Sequence, residues 1–134
     1  MKVFLGGTCA GRKWRDEIIP RLTCDYYNPI VKNWSEADRL REVRERQTAD
    51  IVLYTITNYM AGVYSIAEMI DDSNKRPNKT VICILYDGFD KKMAHSLKAV
   101  ANLARENGAK VFDNLDDVVK YLNLYQSVSE VNKW

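Results

Sequence analysis

The apolar run Ile51-Val52-Leu53-Tyr54-Thr55-Ile56-Thr57, bounded by Asp50 and Asn58, restricts the fold more than any other feature of the chain. A β-branched run of this length reads as a buried strand. It is followed by a short loop and the segment GVYSIAEMIDDSNK, in which residues 65–72 read as a helix starting close behind the strand. The same alternation runs through the chain. Strands are expected at 2–7, 24–28, 50–57, 80–86 and 110–112, and helices at 14–22, 35–48, 65–72, about 91–107 and from about 115. Ser35 is a good N-cap with Asp38 in the first turn, and Gly108 closes the long helix. Strands alternating with helices predict a parallel sheet with right-handed crossovers. The tail after Leu124, YQSVSEVNKW, is polar enough to fray or to dock on a partner. Internal repeats and low-complexity segments are absent.

Composition sets further bounds. A chain of 134 residues, 46% hydrophobic and 28% charged, fits one domain with a real core. It holds no apolar run of membrane-spanning length, and MKVFLGG passes straight into a strand pattern without a signal-peptide core, so a cytoplasmic location is expected. Cys9, Cys24 and Cys83 show no CxxC or Cys/His pairing, which argues against a disulfide framework or a zinc site and for reduced thiols. A net charge of +2, with acids and bases interleaved, excludes an argument for a nucleic acid polymer or a membrane surface as partner.

Glu68 carries the first chemical signal. It stands among Ile66, Ala67, Met69 and Ile70, one turn into a helix that follows a parallel strand. The crevice at the carboxyl ends of such strands is where open α/β sheets take ligands. A carboxylate there can serve as nucleophile or general base, or it can be a solvated first-turn acid favoured by the helix dipole.

The segments KVFLGGTCAGRKWRDEIIPRL, DYYNPIVKNW, TADIVLYTIT and GVYSIAEMIDDSNKRPNKTVICIL resemble the nucleoside 2-deoxyribosyltransferase-like family, over residues 2 to about 122. The resemblance implies a flavodoxin-like, Rossmann-like three-layer sandwich with a five-stranded parallel sheet in the order 2-1-3-4-5. It also implies that a glutamate on the helix after the third strand attacks the anomeric carbon of a nucleoside, and Glu68 occupies that position. Counting back eight residues from Asp50, the family's base-binding acid falls on Glu42, a glutamate where the classical transferases have aspartate. Relatives include transferases, nucleotide hydrolases and proteins of unproven chemistry. In family members a segment near Met93, His95 and Ser96 reaches the neighbouring subunit's site, which implies a homodimer or higher homo-oligomer; a lone helical histidine such as His95 is otherwise an ordinary surface residue.

Other candidates have two readings each. In the first loop, Gly6-Gly7-Thr8-Cys9-Ala10-Gly11-Arg12-Lys13, small residues let backbone amides approach an anion or sugar, and Arg12 and Lys13 can supply charge to a phosphate. GxGxxG is missing, and the same residues make a plain turn. Trp14 reads as a core residue at a helix start. Tyr26, Tyr27 and Asn28 end the second strand, and Asn28-Pro29 followed by Trp34 resembles the family's segment near the nucleobase; a tyrosine there stacks on a base or belongs to the core. Asp38, Glu42 and Glu45 share one helix face, and Leu40, Val43 and the Thr48 methyl lie elsewhere. Pairing of Glu42 with Arg46, and of Asp38 with Arg39 or Arg41, would make that face an ordinary solvated one. Asp50 reads as structural. Thr57, Asn58 and Gly62 line the loop before Glu68, where Ser65 caps the helix or touches phosphate or ribose. Asp71-Asp72 lacks the further oxygen ligands of a metal site.

Two carboxyl groups suit N-glycosidic chemistry, because the sugar becomes positive as the base departs with negative charge. Glu68 is the expected nucleophile, forming a covalent glycosyl-enzyme, while Glu42 holds or protonates the base. Transfer to another base or hydrolysis follows, on a nucleoside or a nucleoside 5'-monophosphate, with no metal and no redox cofactor. A non-catalytic nucleotide-binding or sequestering protein on the same scaffold is the competing reading. A glycosidase cleaving a dinucleotide at the nicotinamide bond is a third, and the short chain argues against it. Apolar residues at 65–72 and at Met93, Leu97, Val100, Ala101 and Ala104 exceed what one face against a sheet needs, pointing to a self-complementary dimer surface.

Overall fold

The computed structural model describes residues 1–132. Strands β1 (Lys2–Gly7), β2 (Asp25–Tyr27), β3 (Ile51–Ile56), β4 (Thr80–Ile84) and β5 (Lys110–Phe112) form one parallel sheet in the order β2-β1-β3-β4-β5. This is a flavodoxin-like α/β fold. Every residue of β3 and β4 is buried, which accounts for the unbroken apolar run: a central parallel strand has no solvent face. The edge strands β2 and β5 are three residues long and partly exposed. Strand order reverses between β1 and β3, where Gly6 lies opposite Tyr54 and Gly7 opposite Thr55.

The helices are α1 (Trp14–Ile18), α2 (Glu36–Thr48), α3 (Tyr64–Lys75), α4 (Lys91–Asn107) and α5 (Leu115–Val131). The helix expected at 14–22 is divided: α1 ends at Ile18 and a 3₁₀ turn, Ile19–Arg21, follows around Pro20, which cannot donate into an α-helical turn. Ser35 and Asp38 form a reciprocal capping box on α2. Helix α3 runs one turn beyond the expected 65–72. Asp90 caps α4, and Gly108 ends it at φ 106°, a left-handed conformation suited to glycine. Of the tail after Leu124, expected to fray or to dock on a partner, the residues to Val131 continue α5; Lys133 and Trp134 lie outside the described residues.

Side chains alternate across the sheet and produce two cores. On one face Val3, Leu5, Ile51, Leu53, Val81 and Cys83 meet Trp14 and Ile18 of α1 and Leu115, Val118 and Leu122 of α5. On the other, Phe4, Val52, Tyr54, Ile56, Ile82 and Ile84 meet Met69 of α3 and Leu97, Ala101 and Ala104 of α4. Full burial of a Leu or Ile contributes about 1.5–3 kcal/mol, so these two layers dominate stability. They also absorb most of the α4 residues whose apolar excess pointed to a dimer surface. Leu97, Ala101 and Ala104 are used on the sheet, and the exposed large apolar residues of α4 reduce to Met93 and Leu103. Among the described residues no helix is long and apolar enough to cross a membrane.

Candidate active site

The reversal of strand order opens a cleft of about 490 Å³ at the carboxyl ends of β1 and β3. Phe4, Gly6, Gly7 and Tyr54 line it from the strands, and Cys9 from the loop after β1. The loop between β2 and α2 brings Pro29, Ile30, Val31 and Trp34. Glu42 of α2 and Tyr64, Ser65 and Glu68 of α3 complete the lining with Arg15. Gly7 is obligatory in this frame: its φ is +110°, and a Cβ there would stand 2.1 Å from the Thr55 carbonyl oxygen. Two smaller hollows adjoin the cleft. One of about 280 Å³ is lined by Gly7, Thr8, Cys9, Ala10, Gly62 and Ser65 among others, with no charged side chain. The other, of about 260 Å³, holds Arg39, Glu42, Arg46 and Glu68 between Trp34 and Tyr64.

Glu68 is half-buried and ion-paired to Arg46, whose Nη1 lies 3.1 Å from Glu68 Oε2. Burial raises its carboxyl above the usual range; Arg46 opposes this, and the nearby Glu42 and Asp72 charges reinforce it. Beneath it Asp72, 1% exposed, accepts hydrogen bonds from Arg46 Nε at 3.2 Å, from the Tyr54 hydroxyl and from Arg76 Nη1. Arg46 Nε also donates to the Tyr54 oxygen at 3.0 Å. Burial and the bond to Asp72 push the Tyr54 phenol well above its ordinary value, so it stays a neutral donor. Burial weakens the charged form of Arg46, but the Asp72 bond and the charges around it prevail and keep it protonated. The Glu42 side chain makes no hydrogen bond or ion pair among the described residues and lines the same cleft and the same adjoining hollow as Glu68.

The first loop is held by its own carbonyls. Arg15, buried, donates to Leu5 O and Thr8 O at 2.9 Å and to Gly7 O at 3.4 Å, while Trp14 Nε1 donates to Thr8 O. Burial lowers the Arg15 pKa. The Thr8 hydroxyl accepts the Thr57 backbone N–H at 3.1 Å, tying the ends of β1 and β3 together.

The expected site residues divide accordingly. Glu68, Glu42, Gly6, Gly7, Thr8, Gly62 and Ser65 meet around the cleft and its adjoining hollow. Arg12 does not: it forms a two-point pair with Glu17 at 2.7 and 2.8 Å beside a separate hollow with Asp87 and Asp113. Tyr27 belongs to the core, stacked on Phe4 at 5.8 Å between centroids, with Arg41 over its ring. Asn28 turns the chain by accepting the Ile30 N–H, and it is the following Pro29, Ile30 and Val31 that face the cleft. Met93, His95 and Ser96 are exposed on α4 and line none of these hollows. Asp50 is structural as expected, accepting the Lys2 backbone N–H at 2.8 Å. Thr57 is buried, and its hydroxyl accepts the Tyr59 N–H. Among the described residues no cluster of His, Cys, Asp or Glu is arranged to hold a metal ion.

Tyr54, Arg15 and Tyr64, which sequence reasoning passed over, complete the site together with Arg46 and Asp72, which it read in other roles. Two signals were present. Tyr54 sits inside an otherwise apolar run, and a buried hydroxyl requires a partner. Glu68 and Asp72 are spaced i, i+4, a repulsive pair on a helix unless a cation lies between them.

Fold and cleft define the class: an α/β protein of flavodoxin-like topology with a two-glutamate cleft at the point where strand order reverses. Compared with family models and with curated proteins, the chain matches none. What the cleft does is therefore read from its own chemistry.

Proposed function

We propose that the cleft cleaves the N-glycosidic bond of a (deoxy)nucleoside or its 5'-monophosphate, with Glu68 as nucleophile. The observation that carries this reading is the pair of carboxyl groups lining one cleft: Glu68, half-buried and held by a guanidinium, and Glu42, whose side chain has no hydrogen bond or ion pair among the described residues. In the first step a Glu68 carboxylate oxygen bonds to the anomeric carbon as the bond from that carbon to the base nitrogen breaks. The electron pair leaves with the base, and a proton from Glu42 neutralises it. In the second step water, or the nitrogen of an acceptor base, attacks the same carbon and returns its proton to Glu42, and the Glu68 carboxylate is released. Trp34 and Tyr64 provide aromatic surface for the base, and the hollow walled by Gly7, Thr8, Gly62 and Ser65 suits the sugar end. The resemblance to the nucleoside 2-deoxyribosyltransferase-like family supports the same reading. The free cysteines Cys9, Cys24 and Cys83 fit a reducing compartment such as the cytoplasm.

One observation favours the competing reading, a nucleotide-binding protein without chemistry. Glu68 is ion-paired, and a paired carboxylate is a poorer nucleophile than a free one. A single experiment separates the two. The protein is incubated with a panel of nucleosides and 5'-monophosphates, and free base is measured by chromatography. Base release by the wild type, reduced on the order of a thousandfold or more in Glu68→Ala, is the expected result. Tight binding without release supports the binding protein, and release by Glu68→Ala at the wild-type rate overturns the mechanism.

A further inference from the structure

We infer that Arg46 is a positioning residue of this site, holding Glu68 charged and aimed into the cleft, and that Arg76 frees it for that task by sharing the charge of Asp72. The inference rests on the reading of Glu68 as nucleophile. Its geometry is specific. One edge of the Arg46 guanidinium is fixed from below, with Nε 3.2 Å from Asp72 Oδ2 and 3.0 Å from the Tyr54 oxygen, and Nη2 3.4 Å from Asp72 Oδ1. The remaining nitrogen, Nη1, is the one turned to Glu68. Were Asp72 paired with Arg46 alone, the guanidinium's charge would already be answered. Arg76 reaches the same Asp72 from the end of α3, so two carboxylates face two guanidinia and Glu68 is included in the balance.

The other groups facing Glu68 do not replace Arg46. Asp72 of α3, and Glu42 of α2 whenever it has given up its proton, repel its charge, and Tyr54, Tyr64 and Cys9 along the same cleft supply no cation. Arg39 of α2 is bound to Glu36, and Arg15 of α1 directs its donors at backbone carbonyls. The reaction also explains why the arginine is anchored elsewhere. When Glu68 bonds to the sugar its charge disappears, and the contacts to Asp72 and Tyr54 keep the guanidinium in place until the carboxylate returns. Loss of Arg46 therefore lowers the ionised fraction of Glu68. It weakens catalysis most at low pH and much less at high pH, whereas a purely structural loss lowers the rate at every pH.

The test is a carbon-13 NMR titration of the Glu68 side-chain carboxyl, its resonance identified by its absence in Glu68→Gln, in wild type, Arg46→Gln and Arg46→Lys. The Glu68 midpoint is expected to rise by about one pH unit or more in Arg46→Gln and to recover most of the way in Arg46→Lys. The acid limb of the kcat/KM profile should move in the same direction. A midpoint unchanged in Arg46→Gln overturns the inference. If Arg46→Gln does not fold, the double variant Arg46→Gln/Asp72→Asn is titrated against Asp72→Asn alone, so that the lost repulsion from Asp72 is common to both; a midpoint no higher in the double variant than in Asp72→Asn overturns it equally. An inactive Glu68→Gln with an unmoved midpoint defeats the role of Arg46 alone. An active Glu68→Gln defeats the nucleophile reading, whatever the titration shows.

Discussion

The face of the sheet covered by α1 and α5 and the face covered by α2, α3 and α4 are built from the same strands, but paired charges enter the interior of the second. On the first face the core side chains are apolar, with Arg15 of α1 a buried cation spent on backbone carbonyls, and burial, reinforced by the Asp113 and Asp117 charges and opposed by Arg12, pushes the Cys83 thiol up to about 12. On the second, Tyr54 of β3 meets Asp72 of α3 and Arg46 of α2, with Glu68 at the rim. The covering helices differ as well. Helix α5 buries Leu115, Val118, Val119 and Leu122, whereas no residue of α2 is buried. Polar contacts tether α2: Arg46 as described, Glu45 to Lys2 Nζ at 2.7 Å, and Lys79 Nζ donating to the Gln47 and Ala49 carbonyls at 3.0 Å. Both faces of the sheet carry an apolar core, but on the second face one covering helix, α2, is held by polar contacts instead of burial, and the Glu68 carboxylate lies beside it.

That contrast breaks most visibly in the packed layer. Leu53→Ala, on the α1/α5 face, should lower the unfolding free energy by about 2–5 kcal/mol, while Val43→Ala on α2 should change it by less than about 0.5 kcal/mol. Urea unfolding measures both. A Val43→Ala loss approaching that of Leu53→Ala would mean that α2 is packed in solution far more than its exposed side chains suggest.

A smaller effect sharpens the contrast at Glu68. Its carboxyl is raised chiefly by burial, so the folded chain binds this proton more tightly than the unfolded chain, and ionisation removes stability as pH rises through the folded value. Glu68→Gln avoids that ionisation, and its amide oxygen can still accept from Arg46. The variant should melt a few degrees above wild type at pH 8, with the difference vanishing below the unfolded glutamate value of about 4.3. A lower Tm for Glu68→Gln at pH 8 would show that the Arg46 pair outweighs the burial.

The division also explains what was legible in the sequence. The run at Ile51 and the spacing of the other elements announce a parallel sheet, because a central strand leaves no choice of face, and a glutamate one turn behind such a strand must lie near its carboxyl end. The wiring beneath Glu68 is different in kind. Reading Arg46 with Glu42 follows the local i, i+4 rule, but Asp72, fully buried, requires a cation more than the partly exposed Glu42 does, and tertiary competition decides the pairing. Tyr27 is lost to the core for a similar reason: Phe4, its neighbour across the ladder, offers a ring to stack on. The segment at Pro29 to Val31 has no periodicity to read, so its place on the cleft wall emerges only from the fold.

The smallest expected effect concerns Arg12, the residue whose sequence neighbourhood most suggested a phosphate. Its guanidinium is matched edge to edge with the Glu17 carboxylate, and each partner strengthens the charged form of the other. The pair is solvent-exposed and sits by the carboxyl ends of β4 and β5 with Asp87, Asp113 and Asp116, away from the lining of the cleft. A phosphate would have to draw Arg12 out of a two-point bond and past those acids to gain one exposed contact. Arg12→Ala should therefore lower stability by less than about 1 kcal/mol, the usual worth of a surface pair, and leave affinity for nucleoside and 5'-monophosphate alike within about twofold. Calorimetric titration of both ligands measures this. A selective tenfold loss for the monophosphate would place Arg12 in the site and require the loop from Cys9 to Lys13 to rearrange when ligand binds.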